Sequence, residues 1–279
     1  MLMNVVNEMK FHTQPSLAAI YGSIDEEIGE LVGSGTFLNL RGEPYLLTAR
    51  HVALEKVNYI GLAHTRSNAL PPAFITNPFH ILNALLDICV VKIENRELHG
   101  TAIQPIQPAR LALHSNDLEG DILFIHGYSG AKSKPVRLLN AVFSKTQPFG
   151  TFIGKSVYPW FDRRTHFAID YPKTGTLDEN QSPMRLDDPH GLSGCAVWKT
   201  NRTKAGTNWD PSFAEIVGVV HKWDVKAHSL IATRIEIVRE FLLKSLRREF
   251  GYYRWLHRGS PLGDDLNDWY AACEEINDM

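Results

Sequence analysis

The chain has 279 residues, 44% of them hydrophobic and 22% charged, with a formal net charge of −2. That length buries a sizeable core in one domain or two lobes. The near-neutral charge gives no electrostatic case for a nucleic-acid partner, and no apolar run approaches the roughly 20 residues that a membrane-spanning helix needs.

Residues 1–15 show no clear hydrophobic period and read as a loose arm. Lys10, the short apolar stretch 17–20 and the acidic run Asp25-Glu26-Glu27 do not make a signal peptide. Short apolar runs then alternate with turn signals. The first set of expected strands is 17–21, 30–32, 36–40, 45–48, 59–63 and 87–93, with Arg41-Gly42-Glu43-Pro44 as a tight turn. Residues 100–117 hold Pro105 and Pro108 without periodicity and read as a connection. The second set is 122–128, 138–144, 152–157, 166–169, 196–199, 216–220 and 230–233. This pattern predicts an all-β protein of two six-stranded antiparallel β-barrels, at about 16–100 and 118–235, within a domain spanning 16–244. The period then changes. Ile235, Val238, Phe241, Leu242 and Leu246 fall at helical spacing. Residues 245–279 read as a C-terminal helical extension, with Gly259-Ser260-Pro261 ending one helix and Asp264 or Asp265 capping the next.

Three short motifs carry chemistry. They are Leu47-Thr48-Ala49-Arg50-His51-Val52, Leu86-Asp87-Ile88-Cys89-Val90-Val91 and Gly191-Leu192-Ser193-Gly194. A serine hydroxyl needs a base within hydrogen-bond reach to act as a nucleophile near neutral pH. Imidazole is suited to that task, which makes His51 the candidate base for Ser193. Asp87 would fix the His51 tautomer and stabilise the imidazolium. The N–H groups of Gly191 and Ser193 would face a developing oxyanion.

With these residues in the order His, Asp, Ser, the chain resembles the trypsin-like serine peptidases, in their bacterial form. The Thr-Ala-x-His-Val run at 48–52, Leu-Asp-Ile-x-Val-Val at 86–91 and Gly-x-Ser-Gly at 191–194 are similar to the family's three catalytic motifs. Gly120-Asp121-Ile122 through Gly130 resembles the start of its second barrel, and 216–220 the strand that lines its cleft. The resemblance covers about 33–242 and implies a chymotrypsin-like fold and a serine endopeptidase acting on protein or peptide without a cofactor. Departures are present. Cys195-Ala196 replaces the usual Gly-Pro after Ser-Gly. Leu192 stands where zymogen-activated members have Asp, and no Ile-Val-Gly-Gly start is present, so activation by N-terminal cleavage is not expected.

Specificity is read from two positions. Asp187, six residues before Ser193, matches the floor of the family's primary pocket, where a carboxylate selects Arg or Lys. The alternative is a solvated loop acid beside Asp188, paired locally with Arg185. Trp223 falls on the pocket wall and would make the pocket shallow, or it is a core tryptophan. The motif Gly33-Ser34-Gly35 reads as a turn between strands rather than a nucleotide site. The 12 histidines form no zinc-binding spacing, so no metal is expected. The cysteines Cys89, Cys195 and Cys273 cannot pair completely, and this reads as reduced thiols in a cytoplasmic protein. The stretch 252–273 resembles a short bacterial helical module of unassigned function, which either docks onto the peptidase or recruits a protein partner. The alternative overall reading is an inactive trypsin-fold module that grips peptides by strand addition.

Overall fold

The computed structural model describes residues 2–24, 27–55, 57–62, 73–77, 79–81, 84–136, 141–172, 176–177, 183–184, 186–261, 263 and 265–276. Ala63, residues 138–140, Arg185 and Asp264, all used in the expectations above, lie outside them.

The first lobe is one antiparallel sheet. Its strands are β1 (Leu17–Ile24), β2 (Glu27–Leu40), β3 (Glu43–Ala49), β4 (Val57–Leu62), β5 (Ala73–Phe74), β6 (His80–Ile81) and β7 (Ile88–Lys92). They lie in the order β5-β4-β1-β2-β3-β7-β6, so the described residues of this lobe form a seven-stranded sheet where six strands are expected. The β2–β3 hairpin turns through Arg41 (φ 56°) and Gly42 (φ 86°). Two successive residues with positive φ suit the right-handed twist of paired strands. The alternation of β1 serves two surfaces. Ala18 and Ile20 join Phe37, Leu46, Val52, Ile60 and Val91 inside the lobe. Leu17, Ala19 and Tyr21 meet Leu31 and Tyr128 instead, and Tyr128 belongs to the second lobe.

The second lobe holds β8 (Leu123–Tyr128), β9 (Lys134–Val136), β10 (Ala141–Phe143), β11 (Thr146–Thr151), β12 (His166–Asp170), β13 (Thr176–Leu177), β14 (Pro183–Met184), β15 (Ala196–Lys199), β16 (Glu215–Asp224) and β17 (Ser229–Arg234). Six of them form a sheet in the order β11-β8-β15-β16-β17-β12, and β9–β10 and β13–β14 are separate ribbons. The sheet closes on itself just past β11. Ile153 bridges Ile169, Gly154 N–H donates to Ala168 O (2.9 Å), and Asp170 N–H donates to Phe152 O (3.0 Å). Residues 152–157 therefore supply a single closing bridge instead of the expected strand. The true strand lies just before them at β11, where Pro148 and Gly150 weaken the alternation.

Among the described residues the α-helices are α1 (Leu2–Thr13), α2 (Arg50–Leu54), α3 (Asn95–Leu98), α4 (Arg202–Ala205), α5 (Ile235–His257) and α6 (Asp265–Glu275). The expected loose arm is α1. Val5 and Met9, one turn apart, are buried in the main core. The Thr13 hydroxyl donates to Met9 O (2.9 Å) and lies 2.7 Å from His126 Nδ1 on β8. Helix α5 starts on the second lobe, with Ile235, Val238 and Leu242 fully buried. Its later turns reach the first lobe, where Glu249 accepts from the Tyr45 hydroxyl (2.9 Å). Glu249 also lies 3.9 Å from both His80 Nε2 and Lys92 Nζ. Helix α6 folds back on α5. Its buried Asp268 accepts from Arg258 (2.6 Å), and Ile276 just beyond it enters the main core. Among the described residues no helix is long and apolar enough to cross a membrane.

Candidate active site

Strand β3 ends at Ala49 and the chain turns at once into α2, which puts His51 at the edge of the first lobe. Asp87 stands immediately before β7, the neighbour of β3, so strand pairing alone brings the two close. Three bonds lock them. Asp87 O accepts from Arg50 N–H (2.9 Å), Asp87 Oδ1 accepts from His51 N–H (2.8 Å), and Asp87 Oδ2 lies 2.7 Å from His51 Nδ1. An ionised carboxylate only accepts, so the His51 proton sits on Nδ1 and Nε2 is left as a base. Asp87 has φ 53°, a left-handed conformation that costs energy for a residue with a side chain and clusters at functional sites. Burial pushes the Asp87 carboxyl up, but the neighbouring His221 imidazole and the hydrogen bonds and imidazole of His51 outweigh it and hold Asp87 well below the usual carboxylate range.

The turn that carries Asp87 is tied to the second lobe. His166 Nε2 lies 3.0 Å from Leu85 O, and the Thr233 hydroxyl donates to Leu86 O (2.6 Å). The carboxylate is thus positioned by both lobes.

Ser193 lies in the turn just before β15, and that turn is wedged against the first lobe. Ser34 N–H donates to Ser193 O (2.8 Å). The Ser34 hydroxyl donates to Gly191 O (2.6 Å) and accepts from Tyr128 N–H (2.8 Å). Glycines make the approach close enough. A Cβ at Gly33 would meet Val52 Cγ2 at 2.5 Å and Ser193 O at 3.1 Å. A Cβ at Gly194 would collide with Ser34 O and Thr48 Oγ1. Gly33-Ser34-Gly35 is therefore not a turn but the middle of β2, thinned so that the Ser193 loop can pack beside the segment bearing His51. The Ser193 hydroxyl makes no hydrogen bond among the described residues. Such contacts are often loose without substrate and tighten on binding.

The backbone of this turn has an informative pattern. The N–H groups of Leu192, Gly194 and Cys195 donate to Pro189 O (3.0 Å), Val220 O (2.7 Å) and Leu192 O (3.2 Å), and His190 N–H donates to Asp188 Oδ1 (3.0 Å). The alternate N–H groups of Gly191 and Ser193 have no acceptor among the described residues. Gly191 reaches this arrangement with φ 93°. The preceding carbonyl, His190 O, is drawn away by Gly130 N–H (2.8 Å), so in a trans peptide the Gly191 N–H points the other way.

The two candidate specificity residues lie on either side of Tyr171. The buried Tyr171 hydroxyl donates to Asp187 O (2.7 Å) and accepts from Gln147 Nε2 (2.6 Å). The half-buried Trp223 ring packs edge-on against the Tyr171 ring, 5.3 Å between centroids, and also touches the main core. Arg185, the local partner considered for Asp187, lies outside the described residues. Cys89, Cys195 and Cys273 are free. Burial pushes the Cys195 thiol far up, so it is no rival nucleophile two residues from Ser193.

Two residues at this site carried no sequence signal. Ser34 was hidden in a glycine-flanked strand, and His221 in an apolar run on β16. His221 is buried, and its Nδ1 lies 3.7 Å from Asp87 Oδ2.

Comparison with known proteins gives three findings. Residues 248–278 match a protein family of unknown function, DUF2934, which agrees with the helical module read from the sequence. No curated protein matches the chain. The solved structures similar to it include an inactive form of Rv3671c from M. tuberculosis H37Rv, at 15% identity over 86% of this chain and 91% of that one, TM-score 0.49. They also include a serine endoprotease from Yersinia pestis, at 16% identity over 86% of this chain and 65% of that one, TM-score 0.47. A Glu endopeptidase matches at 16% identity over 83% and 90%, TM-score 0.47. Two antiparallel β lobes meeting at a seam that holds an imidazole, a carboxylate and a serine turn make this a chymotrypsin-like fold.

Proposed function

We propose that the protein is a serine endopeptidase that cleaves peptide bonds through an acyl-enzyme. Ser193 attacks the scissile carbonyl, and His51 takes its proton and returns it to the leaving amine. Asp87 keeps His51 in the productive tautomer. Gly191 and Ser193 N–H groups stabilise the tetrahedral oxyanion. Water then releases the acyl group by the same steps. The observation that carries this reading is the pair of alternate N–H groups, Gly191 and Ser193, with no acceptor among the described residues, in a turn whose neighbouring N–H groups are satisfied. Backbone donors at a buried glycine are rarely left unpaired, and here they flank the one hydroxyl that the turn presents.

The test is a digest. Full-length protein is incubated with a denatured protein mixture and new N-termini are identified by mass spectrometry. New termini generated by the wild type and absent with Ser193→Ala support the reading, and identical peptide patterns from both oppose it. The same data report on Asp187. Cleavage after Arg or Lys that is lost in Asp187→Ala would assign it the pocket floor, with Trp223 on the wall.

A further inference from the structure

We propose that His221 is a positioning residue for this site: a second imidazole that presents its Nδ1–H to Asp87 and holds the carboxylate on which His51 depends. The consequence for catalysis rests on the peptidase reading, whereas the contact stands by itself.

The placement is built, not incidental. Strand β16 pairs with β17 through Val220↔Ala232 and then Lys222↔Ile231, so His221 is the extra residue of a β-bulge. Bulges break the alternation of a strand and re-aim one side chain. Here the result is an imidazole only 8% exposed, whose Nδ1 is 3.7 Å from the same Asp87 Oδ2 that bonds His51. That distance exceeds a direct hydrogen bond, but an N–H dipole this close to a carboxylate in a partly desolvated site is still attracted to it. A bare Nδ1 lone pair facing the carboxylate would be repelled, so the His221 proton belongs on Nδ1. Its Nε2 is buried with no hydrogen-bond partner among the described residues, and a lone pair is the cheaper atom to leave there than a second N–H.

The far side of His221 is also fixed. The His166 ring packs against it at 5.1 Å between centroids, tilted by 40°. His166 is itself pinned, with Nε2 at 3.0 Å from Leu85 O and Nδ1 at 3.1 Å from the Thr165 hydroxyl. The charged and titratable groups around His221 are therefore Asp87 with His51 on one side and His166, backed by Asp162, on the other. Lys222 is next in the chain and turns away over the Tyr158 ring, 5.6 Å from its centroid. The same contact contributes to holding the Asp87 carboxyl low.

Two measurements on the full-length protein test this. The first is ¹⁵N NMR of the histidine rings. His221 is expected to carry its proton on Nδ1, and Asp87→Ala is expected to move that signal. An Nε2–H tautomer, or a signal indifferent to Asp87→Ala, overturns the proposal. The second is the rate of labelling by a fluorophosphonate between pH 5 and 9. His221→Leu is expected to lower the rate about tenfold and to move the midpoint of the acid limb. His221→Asn, which keeps an N–H donor near the place of Nδ1, is expected to restore both to within about threefold of wild type. Equal losses in Leu and Asn, with an unmoved midpoint, would mean that the ring merely fills space. Thermal melts confirm that each variant is folded. If wild type and Ser193→Ala are equally unlabelled while the NMR signature of His221 is as expected, the contact stands and the peptidase reading fails.

Discussion

The Glu249 carboxylate on α5 accepts a hydrogen bond from the Tyr45 hydroxyl on β3 at 2.9 Å, so a helix rooted in the second lobe grips the first. His80 and Lys92 converge on the same carboxylate. Helix α5 is therefore a strap across both lobes, and the proposed joint action of His51 and Ser193 requires the lobes to keep their relation. Glu249→Ala is expected to cost about 1–3 kcal/mol, because it leaves the buried Tyr45 hydroxyl without its acceptor and removes a carboxylate from beside His80 and Lys92. Urea unfolding checks this. An unchanged midpoint would mean that the strap is ornamental.

Asp87→Asn probes the carboxylate itself. The amide can still accept from His51 N–H, but it can present an N–H to the ring and favour the wrong tautomer. Labelling of Ser193 by a fluorophosphonate at pH 7 is expected to fall by about 10³–10⁴-fold in a variant that thermal melts show to be folded. A loss below tenfold would remove Asp87 from the proposed role.

The glycines of the serine turn make a steric prediction. Gly194 has φ 91°, and a Cβ there would strike Ser34 O and Thr48 Oγ1. Gly191 has φ 93°, and a Cβ there would sit 2.7 Å from Tyr128 O and 2.8 Å from Gly130 N. Gly194→Ala is expected to destabilise by more than about 3 kcal/mol, combining backbone strain with overpacking. Gly191→Ala should combine a smaller loss with poor labelling. Thermal melts and probe labelling on the same samples distinguish the two, and wild-type behaviour in either variant contradicts the packing described.

Stability should fall with acid in two stages. Burial is the largest cause that holds His12, His80 and His166 below the ordinary imidazole value. Each stays unprotonated when folded while the unfolded chain takes up its proton. Their contribution is complete above about pH 6.5 and is lost as pH falls through the lowered folded values. Asp87, held low when folded, repeats the effect below about pH 4. Urea midpoints at pH 8, 6 and 5 should decline in that order, and His12→Gln should flatten part of the decline. Midpoints that rise towards pH 5 would contradict this.

Much of the fold was legible because it depends on local pattern. The alternation in β3, β7, β15 and β17 and the Arg41-Gly42 hairpin are visible in short windows. The helical period after Ile235 is as clear, although α5 runs on to His257. What was not legible depends on distant partners. Helix α1 has two deep anchors, Val5 and Met9, too few to make a period, and its burial is decided by β8 and β11. At the site, His51 and Asp87 announce themselves through their motifs and are paired in the structure. Gly191 and Ser193 do so through theirs. Ser34 and His221 could not be read, since one needs the serine turn seated against it and the other needs a bulge that no local rule predicts.

The central claim is that the serine turn, the imidazole and the carboxylate make one activated hydroxyl. The most direct measurement is intact mass of the folded full-length protein after exposure to a fluorophosphonate, followed by peptide mapping. The account predicts a single adduct on Ser193 in the wild type, slowed by several orders of magnitude in His51→Ala and absent in Ser193→Ala. A folded wild-type protein that takes up no adduct, or takes it up at another residue, would contradict it.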